Sequence, residues 1–313
     1  LCNTGVLASS GYRRRRALLT FPIGGGKHAA LAEGGDMQLQ SYLDRIWFVG
    51  RAEPNLACLT EIHRRQAFAI PYDTLDIHLG RPLDRDIGRI FQKMVTRRRG
   101  GWCYETHVLL HWALREVGFN TRIVTAAIHR EQFGEAKWGN HTAILVDLDQ
   151  TYLADLGLGD GIRDPIPLRE GVYDQGRLRF SLEATADGYW RFRNHAFAYP
   201  TNFDFRDEPL DEALIDRVSA AYQSGEDPLY HKNLAIQIMF PETVTCLSGR
   251  VLRFKTPDGT TKKLVHKHEF EGVLRDIFGI VDGEAARAWP RIEARHFELF
   301  GDAPIESVTV KGL

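Results

Sequence analysis

The sequence predicts an α+β fold in which a helical half precedes a β-rich half. Apolar residues over 87–95 recur at the spacing of one helix face, which predicts a helix that ends near Thr96. A second helical pattern starts just after Gly100 and Gly101 and ends at Gly118. Beyond Gly118 the apolar residues alternate with a period of two, which is typical of strands. The change from helices to strands is therefore expected near Gly118.

The length, charge and cysteine content limit the class of protein. A chain of 313 residues suggests two or three domains. With 40 basic and 41 acidic residues, nothing indicates a nucleic-acid partner. No stretch approaches the ~20 apolar residues that a membrane helix needs. The four cysteines have neither the spacing of a disulfide framework nor that of a zinc site, which favours a reducing cytoplasm and no bound metal.

Residues 1–36 differ from the rest of the chain. They contain an arginine run at 13–16 and a short apolar run that Pro22 interrupts, so we expect no export signal. The first methionine is Met37, and residues 33–36 can be encoded by a purine-rich run that contains GGAGG, as in a bacterial ribosome-binding site. We therefore predict that residues 1–36 are an upstream extension rather than a domain, and that the protein is bacterial.

Cys103 is the candidate nucleophile. The two glycines before it break the first helical pattern, so Cys103 lies at or near the start of the second helix. Free backbone N–H groups and the positive end of the helix dipole favour a thiolate at that position. Glu105 lies in the first turn of the same helix, where the dipole alone favours a carboxylate, and we interpret it as structural.

A nucleophilic cysteine needs a base, and the base needs an orienting group. Residues 140–158 form two β-rich runs about a polar turn, a pattern typical of a hairpin. His141 opens the first run and Asp155 lies late in the second. The two residues are directly opposite each other if residues 147–149 form the loop. His141 is therefore the candidate base, and Asp155 is its candidate orienting acid.

His107 is an alternative base. It stands four residues after Cys103 and therefore shares a helix face with the nucleophile. The demand for a base that a carboxylate orients favours His141, for which Asp155 is available. His111, one turn further along the helix, is interpreted as a surface residue.

Separated motifs follow one another along the chain. They are Arg-Gly-Gly-x-Cys-x-Glu at 99–105, the strand-opening histidine at 141, Tyr-Leu-x-Asp-x-Gly-x-Gly at 152–159 and Pro-Ile-Pro-Leu at 165–168. Separated motifs in the right order are much more specific than any single motif. With them the chain resembles the arylamine N-acetyltransferase family over roughly residues 37–255, most strongly over 68–170. The resemblance implies an α+β fold with a papain- or transglutaminase-like core, in which Cys103, His141 and Asp155 form a catalytic triad.

The resemblance also implies three domains after the extension. A helical N-terminal bundle that carries the nucleophile is expected over 37–120, and a β-barrel that carries the histidine and the aspartate over 121–224. A C-terminal α/β lid is expected over 225–313. In the lid, the residue patterns predict strands within 234–254 and a helix near 269–278.

The implied activity is acetyl-CoA-dependent N-acetylation of arylamines or arylhydrazines by a ping-pong mechanism through an acetyl-cysteine. Acetyl-CoA is then the acyl donor, coenzyme A is a product, and no metal takes part. No oligomeric state is predicted. The resemblance assigns substrate binding to five residues near the triad, namely Tyr72, Trp102, Tyr104, Gly157 and Leu158.

Five residues depart from the usual pattern of the family. Tyr72, Asp73 and Thr74 stand where Phe, Glu and Asn are usual, although Asp73 keeps a carboxylate that can pair with Arg99. His107 stands where Asn is usual, and Leu158 stands where an aromatic residue is common. The change at Leu158 is expected to open or reshape the acceptor pocket.

These departures leave other functions open. An amide synthase of the same fold, which releases or cyclises a carrier-bound acyl chain, is compatible with Tyr72, His107 and Leu158. A hydrolase uses the same triad with water as the acceptor. A non-catalytic binding module is disfavoured, because all three members of the triad are present.

Overall fold

The computed structural model describes residues 37–83, 85–225 and 229–303. The predicted extension over 1–36 lies outside the described residues. The α+β fold class is confirmed: helices come first, an eight-stranded barrel-like sheet follows, and a five-stranded sheet with helices completes the described part. The predicted domain boundaries stay predictions.

The helical part ends in the helix that carries Cys103. Both predicted helix ends are confirmed, one near Thr96 and one at Gly118, which has a left-handed conformation with φ 104°. The elements are α1 (Leu39–Arg45), α2 (Leu56–Ala69), β1 (Tyr72–Asp73), α3 (Leu75–His78), α4 (Ile87–Phe91) with a π-helical continuation (Gln92–Thr96), and α5 (Cys103–Val117).

The middle part is an antiparallel sheet in the order β5-β4-β3-β2-β9-β8-β7-β6. The Tyr173 hydroxyl on β6 donates to the carbonyl oxygen of Pro167 on β5 at 3.2 Å, so the two edge strands approach each other and the sheet nearly closes. Its elements are β2 (Asn120–Ile128), α6 (Arg130–Phe133), β3 (His141–Asp147), β4 (Thr151–Ala154), β5 (Ile166–Pro167), β6 (Gly171–Gln175), β7 (Leu178–Ala184), β8 (Trp190–Arg193) and β9 (Asn202–Phe205).

The predicted hairpin is present, but its predicted register is wrong. Asp147 pairs with Thr151, so the loop comprises residues 148–150. This register is held by a hydrogen bond from the Thr151 hydroxyl to the Asp147 carboxylate at 2.8 Å. Because β4 ends at Ala154, Asp155 lies just beyond the strand and reaches His141 diagonally.

The C-terminal part packs a sheet in the order β1-β10-β11-β12-β13 against helices. Tyr72 on β1 pairs with Gln237 on β10, so a strand of the helical part forms the edge of this sheet. The strands and the helix predicted here are confirmed, whereas β13 and α10 were not predicted. The elements are α7 (Glu212–Ser224), α8 (Leu229–Lys232), β10 (Ala235–Met239), β11 (Val244–Ser248), β12 (Val251–Thr256), β13 (Gly259–Leu264), α9 (Phe270–Phe278) and α10 (Trp289–Phe300).

Helix α5 packs against one face of β3, and this contact positions the candidate site. Ile144 and Val146 pack in one core cluster with Leu109 and Leu110 of α5. The alternate residue Leu145 packs inside the barrel. Within the described residues, no helix is both long enough and apolar enough to cross a membrane.

Candidate active site

Cys103 is the first residue of α5, as predicted, and is only 3% exposed. Burial raises the pKa of its thiol, and the negative charge of Asp155 acts in the same direction. The backbone N–H of Tyr104 lowers that pKa, which is the effect that the sequence predicts at a helix N-terminus. Burial is the larger effect and favours the thiol over the thiolate, so a neighbouring base would assist its ionisation.

The imidazole of His141 lies against the carboxylate of Asp155. His141 Nε2 is 2.7 Å from Asp155 Oδ2, and both residues are buried. Burial acts to raise the pKa of Asp155, but the imidazoles of His141 and His107 together lower it well below its ordinary value. An ionised carboxylate only accepts hydrogen bonds, so Nε2 carries the proton and Nδ1 carries the lone pair.

His141 Nδ1 has no hydrogen-bond partner in the part of the chain that the structure describes. Its lone pair is therefore available to accept a proton. No hydrogen bond joins Cys103 to His141 among the described residues. The structure thus brings His141 and Asp155 into direct contact, and it places Cys103 close enough for the charge of Asp155 to act on the thiol.

His107 has no lone pair left for Cys103. Its Nε2 accepts the backbone N–H groups of Leu156 at 3.2 Å and Gly157 at 3.0 Å. A nitrogen that accepts hydrogen bonds carries no proton, so the proton of His107 is on Nδ1 and is donated to Thr142 Oγ1 at 2.8 Å. This geometry favours His141 over His107 as the base.

Gly157 lies against both imidazoles. A Cβ atom there would be 2.6 Å from Cε1 of His107 and 2.9 Å from Cε1 of His141. The Gly157 N–H also donates to Asp155 Oδ1 at 3.0 Å. A glycine is required here because any side chain would displace one of the two rings.

The residues predicted to bind substrate fall into two environments. Tyr72, Trp102 and Tyr104 pack in one cluster with Cys103. Leu158 is buried in the barrel core, in a different cluster. The structure therefore brings the three aromatic residues to Cys103, but it does not bring Leu158 into that cluster.

Two further tyrosines lie over this aromatic cluster. The Trp102 ring makes edge contacts with Tyr222 and Tyr230, with centroids 5.9 Å and 6.2 Å away. The hydroxyl groups of Tyr72 and Tyr230 are 3.0 Å apart. Neither Tyr222 nor Tyr230 was predicted from the sequence as a site residue. Tyr222 falls seven residues after Ile215 on the apolar face of α7, a spacing that could have identified it, whereas nothing in the sequence marks Tyr230.

A buried group of ion pairs lies at the start of α5, next to Cys103. Glu105 binds Lys93 Nζ at 2.7 Å and accepts the backbone N–H of Trp102 at 3.2 Å. The predicted pairing of Asp73 with Arg99 is confirmed at 2.8 Å. Lys93 was missed because it interrupts an apolar helical pattern and has no signal of its own.

A cavity of about 700 Å³ lies elsewhere, and its lining does not include Cys103. It is lined by charged side chains, among them Lys93, Arg99 and Glu105, and by residues 281–284. Every anion in its lining is accompanied by cations, so no class of ligand is evident. Among the described residues, no cluster of His, Cys, Asp and Glu has the arrangement of a metal site.

Comparison with known proteins identifies the family. A family model described as N-acetyltransferase matches residues 55–285. Arylamine N-acetyltransferase 1 of Bos taurus is 29% identical over 275 residues, which cover 78% of this chain and 94% of the relative. The pineal gland isozyme of arylamine N-acetyltransferase from Gallus gallus is 30% identical over 277 residues, with the same coverage of 78% and 94%.

A solved structure gives the same result. The arylamine N-acetyltransferase of Mycobacterium marinum in complex with CoA has a TM-score of 0.72 and 25% sequence identity to this chain, and the match covers 82% of this chain and 98% of that one. The chain therefore belongs to the arylamine N-acetyltransferase family, whose members are transferases.

Proposed function

We propose that this enzyme transfers the acetyl group of acetyl-CoA to the nitrogen of an arylamine or arylhydrazine, through an acetyl thioester on Cys103. The observation that carries the proposal is a buried imidazole, His141, with one nitrogen bonded to the ionised Asp155 and the other unbonded. The names of the relatives and the CoA in the Mycobacterium marinum structure support the two substrate classes.

In the first half-reaction, Cys103 Sγ attacks the carbonyl carbon of the acetyl thioester while its proton passes to His141 Nδ1. Asp155 stabilises the imidazolium that forms, because its carboxylate lies 2.7 Å from Nε2. Backbone N–H groups in the first turn of α5 have no helical carbonyl partner, so they can bind the oxyanion. The bond between carbon and the CoA sulfur then breaks, and the imidazolium returns its proton to that sulfur.

In the second half-reaction, the acceptor nitrogen attacks the acetyl carbon and the bond to Cys103 Sγ breaks. The acceptor loses a proton to His141 Nδ1, and the thiolate of Cys103 is protonated in turn. The burial of Cys103, at 3% exposure, supports transfer over hydrolysis because it keeps water from the thioester. The same burial raises the pKa of the thiol, so the base has to act in the first step.

The cellular setting belongs to the same proposal. Cys58, Cys103 and Cys246 are free thiols in the structure, which supports a reducing compartment such as the cytoplasm. The bacterial origin predicted from residues 33–36 stays a prediction.

The test is to incubate the enzyme with acetyl-CoA alone and to follow Cys103 by mass spectrometry. We expect a stable acetyl adduct that an arylamine discharges, with parallel double-reciprocal lines in the steady state. Cys103→Ser is the negative control and should show neither adduct nor turnover.

Three other outcomes would contradict the proposal. Loading only by a longer or carrier-bound acyl group would indicate the amide synthase. A thioester that decays equally fast with and without amine would indicate a hydrolase. Failure of the folded enzyme to load with any acyl donor would favour the binding module.

A further inference from the structure

His107 joins the helix of the nucleophile to the strand of the base. It lies on α5 one turn after Cys103 and is only 1% exposed. Its Nδ1–H donates to the hydroxyl of Thr142, the residue next to His141 on β3. The two imidazole centroids are 5.5 Å apart.

His107 also holds the loop that follows the acid. Its Nε2 is 3.2 Å from the Leu156 N–H and 3.0 Å from the Gly157 N–H, the two backbone donors directly after Asp155. The Gly157 N–H is shared between His107 Nε2 and Asp155 Oδ1, which it approaches at 3.0 Å. The position of the carboxylate therefore depends on a lone pair of His107.

We propose that His107 is a positioning residue: in its neutral form it fixes the loop 155–157 so that Asp155 orients His141, and protonation of His107 releases that loop. This inference rests on the proposed function, in which His141 is the base and Asp155 orients it.

Protonation reverses the role of Nε2. As a donor, Nε2–H would face the N–H groups of Leu156 and Gly157 and could bond to neither. An acceptor, Asp155 Oδ1, lies 3.7 Å from Nε2. A charged His107 that turned towards this oxygen would compete with His141 for the carboxylate, and it would place a second positive charge beside the imidazolium that forms in the reaction.

The groups around His107 come from four elements. Asp155, from the loop after β4, favours the charged form of His107, while His141 on β3 and burial oppose it. Cys103 lies on the same helix as His107. The charge of Asp155 also acts on His63 of α2. Burial is the largest effect and lowers the pKa of His107, so the ring is neutral at neutral pH and becomes charged only in acid.

The experiment measures the single-turnover rate of Cys103 acetylation against pH in the wild type, His107→Asn and His107→Leu. An Asn carbonyl can accept a backbone N–H but does not become protonated in this range, whereas Leu cannot accept. We expect His107→Asn to keep the neutral rate within about threefold and to extend activity to lower pH. His107→Leu should lose roughly 10–100-fold at neutral pH, because it misplaces the acid, and its difference from the wild type should narrow in acid, where protonation releases the loop in the wild type as well.

The matched control is His111→Leu, one turn further along α5, where the ring bonds to the Thr121 hydroxyl at 2.8 Å. It should leave the rate and its pH profile unchanged. Equal acid limbs in the wild type and His107→Asn would overturn the inference, as would a wild-type rate in His107→Leu. Failure of the wild type itself to load would instead overturn the proposed function.

Discussion

The carboxylate of Glu105 binds the ammonium of Lys93 at 2.7 Å, and both groups are buried directly behind the residue that precedes the nucleophile. Glu105 also accepts the Trp102 N–H, so this ion pair fixes the start of α5. Lys93 has a second partner in Asp76, at 2.7 Å. The buried ammonium of Lys93 is therefore paired with two carboxylates.

We predict that Glu105→Gln destabilises the fold by about 3 kcal/mol, because it leaves the buried Lys93 with one partner fewer. Urea unfolding measures this. Arg177→Ala, which breaks an exposed pair with Asp258, is the control and should leave the midpoint nearly unchanged. A Glu105→Gln midpoint as high as that of the control would contradict the structural role of the pair.

Asp155→Asn should slow acetylation of Cys103 by roughly 10²–10⁴-fold, because an amide neither stabilises the imidazolium nor enforces the Nε2–H tautomer of His141. The rate is measured by rapid mixing with acetyl-CoA. Asp149→Asn is the matched control: Asp149 is exposed in the loop of the same hairpin and accepts a hydrogen bond from the Tyr152 hydroxyl at 3.2 Å. Similar losses in both variants would show that Asp155 is not the orienting acid.

Tyr230→Ala should speed the amine-independent decay of acetyl-Cys103 by about tenfold, equivalent to ~1.4 kcal/mol of barrier. The reason is that removal of this ring from the side of Trp102 opens the aromatic cluster to water. The decay is followed by mass spectrometry after acetyl-CoA has been removed. Phe297→Ala, at a 63% exposed ring on α10, is the control, and an unchanged decay in Tyr230→Ala would contradict the shielding role.

Stability should fall as the pH decreases from 6.5 to about 4. Burial lowers the pKa of His63 to about 4, so in this range the unfolded chain binds a proton that the folded chain does not. His63 alone should lower the free energy of unfolding by about 3 kcal/mol over this range. Its contribution is fully present above pH 6.5. Urea unfolding at several pH values should show a smaller loss in His63→Gln; the same decline in both proteins would exclude His63 as a source.

The residues that local patterns describe could be predicted. The glycine break before Cys103 and the apolar spacing after it place the nucleophile at a helix start, and the alternation around His141 places the base on a strand. The hairpin register was wrong because it depends on a side-chain bond from Thr151 to Asp147, which no periodicity reveals.

The remaining errors come from contacts made in three dimensions. The sequence shows the helix terminus, which acts to lower the pKa of Cys103. It does not show the burial of the thiol, which raises that pKa. Lys93 finds its partner Glu105 on another helix, and Tyr230 finds its partner, Tyr72, 158 residues away in the chain. Such pairings follow from packing rather than from local pattern, so a single sequence does not reveal them.

The pairing of β1 with β10 also has a consequence for biosynthesis. Thr74, at the end of β1, exchanges hydrogen bonds with Ala235, 161 residues later. The ribosome therefore releases the segment that bears Cys103, His141 and Asp155 well before β10, the strand that pairs with Tyr72. Until that strand emerges, β1 lacks its pairing partner, so we expect the proposed acyl transfer to begin only after synthesis has passed β10.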